Sequence, residues 1–219
     1  MTRHGRQIET AGLGQREANE LGGSVRETAA LLSTQNYDAG EFGRFHREIR
    51  SRNGLRLQLR HLQRRDRLRL KEFFARCSVE AIRDRFMSSI DPASDSLLNC
   101  LAEPDGSSHV ALIVTQGLGT DERVVAEGRF VVFNERREIA DVALLVVDEF
   151  QRQGIGTMLI HQLIEIACRK GVTRFSADVL PDNRAILSLL RSTSQCLSAT
   201  VSYGSIHFEI PITETLPYV

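Results

Sequence analysis

The chain has 219 residues, 42% of them hydrophobic and 26% charged, a globular balance that excludes disordered and fibrous classes. Its 28 Lys and Arg cancel its 28 Asp and Glu, which weighs against a polyanion partner only as far as a net figure can. The apolar runs, such as residues 142–147, are too short to span a membrane. The opening Met1-Thr-Arg-His-Gly-Arg6 carries no apolar stretch of a leader, so a cytoplasmic chain is expected.

Residues 1–54 read as an N-terminal extension, glycine-rich at its start, with a short helix over 25–33. The domain proper is expected over 55–219. Residues 55–62 alternate apolar and polar and predict a half-buried strand. Leu68, Leu70, Phe73, Phe74 and Cys77 share a helical face, and Ser78 can cap a second helix carrying Ile82, Phe86 and Met87. Strands are predicted over 110–115, 124–133 and 138–147, the last nearly continuous in its apolar half. A helix over 154–170 follows, with Ile155, Met158, Leu159, Leu163, Ile166 and Ala167 on one stripe and Gly171 after it. A strand over 173–180, a helix over 185–190 and a hairpin around Gly204 complete the chain. The order β-α-α-β-β-β-α-β-α-β-β predicts an α/β (α+β) mixed sheet with helices on it, not a doubly wound fold.

The four cysteines, Cys77, Cys100, Cys168 and Cys196, stand alone, without metal-ligand or redox spacing. They read as buried small hydrophobes, and no metal is expected. His61, His109 and His161 read as structural.

The informative stretch is Gln151-Arg-Gln-Gly-Ile-Gly-Thr157, between a buried strand and an amphipathic helix. A helix start presents unpaired N–H groups and the positive end of the macrodipole, and glycines admit a ligand to that backbone. The loop is therefore an anion site suited to a phosphate or pyrophosphate. It lacks the lysine and spacing of a P-loop and the third glycine of the dinucleotide fingerprint.

Gln151-Arg-Gln-Gly-Ile-Gly156 after Leu144-Leu145-Val146 resembles the acyl-CoA pyrophosphate loop of the GNAT (Gcn5-related N-acetyltransferase) superfamily, and Leu180-Pro-Asp-Asn-Arg-Ala185 resembles its second motif. Residues 70–80 and 83–86, with Ala140-Asp-Val-Ala143, are similar to bacterial protein lysine acetyltransferase domains over about 55–212. The resemblance implies a mostly antiparallel sheet of about six to seven strands, about four flanking helices, and a bulge or splay at the fourth strand. It implies acetyl-CoA as co-substrate, held by the backbone of Leu144, Leu145 and Val146, by Gln151, Arg152, Gln153, Gly154, Ile155, Gly156 and Thr157, and by Asn183. Asp141 stands where the lysine acetyltransferases carry a glutamate base. Its other reading is a solvent-facing polar residue on an alternating strand.

Two positions depart from the pattern: Leu190 replaces a tyrosine acid, and Ser194-Gln195 replaces a Gly-Phe pair. The expected reaction is acetyl transfer to a primary amine, a protein lysine first and a small amine second. A catalytically weak acyl-CoA-binding module is the third reading. Tyr203 near the thiol rests on fold analogy alone. A monomer or homodimer is expected, without membrane partner. Residues 44–76 hold eleven Arg and one Lys against Glu48, Asp66 and Glu72, which leaves the remainder acidic and suited to a cationic acceptor. The basic segment itself reads as a solvated face or a docking surface. The missing interleaved aromatics argue against nucleic acid.

Overall fold

The computed structural model describes residues 45–133, 138–193, 198–202 and 204–213, all within the compact unit Asn36–Val219. The predicted helix over 25–33, Ser194-Gln195 and Tyr203 lie outside them. The strands are β1 (His46–Arg50), β2 (Arg56–His61), β3 (His109–Gln116), β4 (Arg123–Val132), β5 (Ile139–Val146), β6 (Arg174–Val179), β7 (Ser198–Ser202) and β8 (Ser205–Pro211). The helices are α1 (Arg67–Ala75), α2 (Val79–Phe86), α3 (Asp95–Ala102), α4 (Ile155–Arg169) and α5 (Arg184–Thr193).

The described strands form one sheet in the order β1-β2-β3-β4-β5-β6-β8-β7, with β5 and β6 the one parallel pair. Eight strands and five helices exceed the six to seven and four expected. One addition is β1, which lies inside the expected extension and pairs antiparallel with β2 from His46 to Arg50. The sheet thus begins before Leu55. The other is α3, whose Leu98, Leu101 and Ala102 bury one face over only eight residues.

The register from Ala126↔Val146 to Val132↔Ala140 is unbroken, so no bulge interrupts the β4–β5 pair. The bulge falls instead between Val114 and Thr115, in the β3–β4 ladder. The expected splay lies between β5 and β6, which pair only at Ile139, Ala140 and Asp141. Past Asp141 the two strands part.

Helix α4 packs across β3, β4 and β5 with Ile155, Leu159, Leu163 and Ala167 buried. The close approach depends on Gly128 of β4, where a Cβ would stand 2.9 Å from Leu159 Cδ2. On the other sheet face Phe73 and Phe74 of α1 and Phe86 of α2 form a tilted aromatic run.

Much of the basic segment is bound into the fold instead of forming a free face. Arg60, Asp66 and Glu122 form a buried cluster, with Arg60 Nη1 and Nη2 donating to Asp66 Oδ2 and Oδ1 at 2.6 and 2.8 Å. Arg64 meets Glu103, Arg67 meets Asp95 and Asn99, and Arg69 meets Glu122.

Candidate active site

Strand β5 carries the site, and hydrogen-bond parity says which of its groups are available. Val147 N–H donates to the Val125 carbonyl, so Leu145 and Ala143, in step with Val147, turn their backbone groups to β4. Val142, Leu144 and Val146 turn theirs the other way, into the gap left by β6. Among the described residues no strand fills that gap. Of the three backbone partners expected for acetyl-CoA, Leu144 and Val146 therefore face the gap, while Leu145 faces β4. The Val146 carbonyl accepts from Gln151 Nε2 at 3.1 Å. Gln151 thus closes the strand end onto its own loop, and Leu144 offers the open backbone.

The loop after β5 turns through a 3-10 segment, Asp148–Phe150, anchored by buried Phe150. Arg152 at φ +60° and Gly154 at φ +83° are both left-handed, and Gly154 is the residue from which the chain enters α4. The first helical bond runs from Met158 N–H to the Gly154 carbonyl, so Ile155, Gly156 and Thr157 enter α4 without an intrahelical acceptor. A Cβ at Gly156 would lie 3.7 Å from Leu144 Cδ1 and 3.8 Å from Leu189 Cδ2, so this turn sits directly over β5 and α5. Gln153 donates from Nε2 to the Glu149 carbonyl. Asn183 Oδ1 caps α5 through the Ile186 N–H at 3.1 Å, leaving its amide donor for a ligand.

These features fit a CoA ester. An extended arm could pair with the open edge of β5, and a pyrophosphate could sit on the amides at the start of α4.

Asp141 stands where β5 and β6 diverge, on the sheet face opposite α4. Its partner across the parallel pair is Ser176, whose Oγ donates to Asp141 Oδ1 at 3.3 Å. Water reaches the carboxylate, yet the walls of the cleft crowd it. Burial raises its pKa to about 6; Arg85 opposes the rise and Asp178 adds to it. Glu138 is also exposed, and its carbonyl accepts the Thr173 and Arg174 N–H groups in the turn entering β6.

Sequence reasoning missed the surroundings of Asp141. Arg85 of α2, a buried guanidinium 4.0 Å from Glu127 Oε2, packs over the Phe86 ring. Burial lowers its pKa although Glu127 draws it up. Glu127 is wholly buried and takes Arg129 Nε at 2.6 Å, and Arg129 reaches His109 Nε2 at 2.8 Å. Across β6 and β8, Asp178 pairs with His207, their side chains 3.0 Å apart. The match at residues 83–86 could have flagged Arg85. No local signal marks His207, because only strand pairing brings it to Asp178.

Cys77 cannot serve as an acyl carrier: burial first, then Asp148, pushes its thiol up to about 12. Leu190, at the family's tyrosine position, is 2% exposed and belongs to the core. Among the described residues no group of three or more His, Cys, Asp and Glu could hold a metal, and no helix is long and apolar enough to cross a membrane.

Known proteins resemble this chain in sequence and in fold. The chain is 34% identical over 143 residues to Acetyltransferase Pat of Mycolicibacterium smegmatis, covering 64% of this chain and 42% of that relative's length. It is 27% identical over 137 residues to Acetyltransferase PA5475 of Pseudomonas aeruginosa, covering 63% of this chain and 73% of that protein. The fold matches the crystal structure of the GNAT domain of S. lividans PAT with TM-score 0.70 at 22% identity, over 81% of this chain and all of that one. The Acetyltransferase (GNAT) family pattern matches residues 69–192, more than half of the sequence and the whole of the strand, loop and helix just described; the chain belongs to that family.

Proposed function

We propose that this domain acetylates the side-chain amine of a protein lysine, with Asp141 as the base. The observation that carries the reading is Asp141 itself, a carboxylate poised near neutrality at the point where β5 opens. The match to a relative named Acetyltransferase Pat supports acetyl transfer, and the resemblance of residues 70–80, 83–86 and 140–143 to bacterial protein lysine acetyltransferase domains supports a protein acceptor.

Bound acetyl-CoA supplies a thioester whose carbonyl carbon the amine attacks. Leu144, on the open edge of β5, is the backbone group available to align that ester. The start of α4 holds the phosphates through Gly154, Ile155, Gly156 and Thr157, with Arg152 beside them. A lysine ammonium entering on the face opposite α4 meets Asp141, which takes the proton and frees the nitrogen lone pair. The N–C bond forms, the nitrogen gives its second proton to water, the C–S bond breaks, and the thiolate leaves. Leu190 offers no proton to that thiolate, so solvent supplies it. Cys77 is not acylated on the way, in keeping with its raised thiol pKa.

The test is acetyl transfer from acetyl-CoA to lysine-containing proteins and to small amines, beside a Gly154→Asp variant. Transfer to protein lysine, abolished in the variant, supports the reading. Transfer only to small amines removes the protein acceptor. Unchanged CoA affinity in Gly154→Asp removes the loop assignment.

A further inference from the structure

The turn between β1 and β2 lies against the acyl-CoA loop, although it falls outside the matched family pattern. Arg52 N–H donates to the Gln153 carbonyl at 2.9 Å, which docks the turn onto the loop. The Arg52 side chain then lies over Gly154: Cγ and Nε are both 3.4 Å from the place a Cβ would occupy there. The turn itself is rigid. Ser51 is buried, its N–H donates to the Leu55 carbonyl at 3.1 Å, its hydroxyl accepts the Leu55 N–H, and Gly54 N–H returns to the Ser51 carbonyl at 2.9 Å.

The charges at this junction do not balance. Arg52 and Arg152 both stand beside the positive end of α4, and neither forms an ion pair with a described residue. The acids of the loop are already engaged, Asp148 by the N–H and hydroxyl of Ser78, Glu149 by Arg76 at 3.5 Å. Cations gathered at a helix start repel it and one another unless an anion lies among them. The turn nevertheless holds Arg52 there through a backbone bond.

We infer that Arg52 is a phosphate ligand of CoA, a preformed clamp that closes the cradle over Gly154. The inference rests on the loop reading given above and adds to it a residue from the first hairpin. Both the pyrophosphate and the 3′-phosphate offer the forked acceptor that a guanidinium prefers. A clamp fixed in advance loses little freedom on binding, so its removal should be felt in affinity.

The experiment compares wild type with Arg52→Ala and Arg52→Lys in the full chain. Calorimetry gives affinities for CoA and dephospho-CoA, and kcat/KM is measured with acetyl-pantetheine, which has no phosphate at that end. Arg52→Ala should weaken CoA by about tenfold or more, the size of a charge-assisted contact, with Arg52→Lys between. It should leave acetyl-pantetheine turnover and the melting temperature unchanged. An equal loss for dephospho-CoA assigns the contact to the pyrophosphate, and a loss confined to CoA assigns it to the 3′-phosphate. Unchanged affinity for both, or an equal loss with acetyl-pantetheine, overturns the inference. If Gly154→Asp still binds CoA as wild type does, the loop reading fails and Arg52 fails with it. If that variant loses CoA while Arg52→Ala does not, only the clamp is wrong.

Discussion

Replacing Asp141 by Asn probes the proposed chemistry most directly. The carboxyl titrates at about 6 and a lysine amine near 10.4. The productive pairing joins an ionised Asp141 to a still protonated amine. Wild-type kcat/KM should therefore rise with unit slope below about pH 6, hold level, and fall above about pH 10. Asparagine keeps the shape and an acceptor for Ser176 but takes no proton. The variant must use amine that is already neutral, on the order of one molecule in 2,500 near pH 7. The loss should be about 10²- to 10⁴-fold near pH 7 and shrink roughly tenfold per pH unit as free amine accumulates. Initial rates of thiol release with a lysine peptide, followed across that range, measure both limbs. A wild-type profile with no acid limb near 6, or a variant loss equally large at every pH, refutes the base assignment.

The same substitution makes a stability prediction with a definite sign. Folded Asp141 holds its proton up to about 6, against 3.8 for the ordinary group, so its ionisation costs stability as pH rises through that window. Asp141→Asn should melt above wild type near neutrality, by an amount limited by the solvent that reaches the group, and level with it in acid. A variant that melts lower at neutral pH contradicts the raised pKa. Gly128→Ala would place a Cβ 2.9 Å from Leu159 Cδ2 and 3.1 Å from Leu163 Cδ1. Overpacking there should cost about 1–3 kcal/mol, less about 0.4–1 kcal/mol from the restricted unfolded chain, read from urea midpoints; a stabilised variant would show that α4 yields freely. Asp66→Asn breaks a buried bidentate pair and should cost about 3–5 kcal/mol. Burial, the largest single influence, would raise the Asp66 pKa, but the Arg60 hydrogen bonds and charge, the Gln63 N–H and the Arg69 charge together outweigh it and hold the carboxyl below 3.8. The gap between wild type and variant should thus be full above that value and close as pH falls through the depressed pKa.

The loop and α4 were legible because glycine spacing and a long amphipathic helix are local signals. They point to Gly154 and its neighbours as an anion loop, whereas Leu144 and Asp141 were named from the family resemblance alone. β1 was not legible: of His46-Arg-Glu-Ile-Arg50 only Ile49 is buried, so alternation left no trace. α3 carries a helical pattern but is short enough to pass for a loop between Pro92 and Pro104. The parting of β5 from β6 depends on pairing between distant segments, which periodicity does not encode. For the same reason the available backbone was misassigned at Leu145, since ladder parity fixes which groups point into the gap. Charge composition misled in a different way. The arginines of residues 44–76 read as a surface, yet Arg60 is buried against Asp66, whose pairing the charge count did not reveal, and against Glu122, which lies outside that window.

The gap beside β5 has a consequence beyond catalysis. Past Asp141 the sheet has an interior seam, where the Leu144 backbone has no neighbouring strand to pair with. A ligand lying in that seam acts as a missing strand and joins the β1–β5 half to the β6–β8 half. Its binding energy then counts toward folding, by RT ln(1 + [L]/Kd), so cooperativity between the two halves should grow with occupancy. A CoA arm bound as proposed would also be the last piece of this sheet's secondary structure.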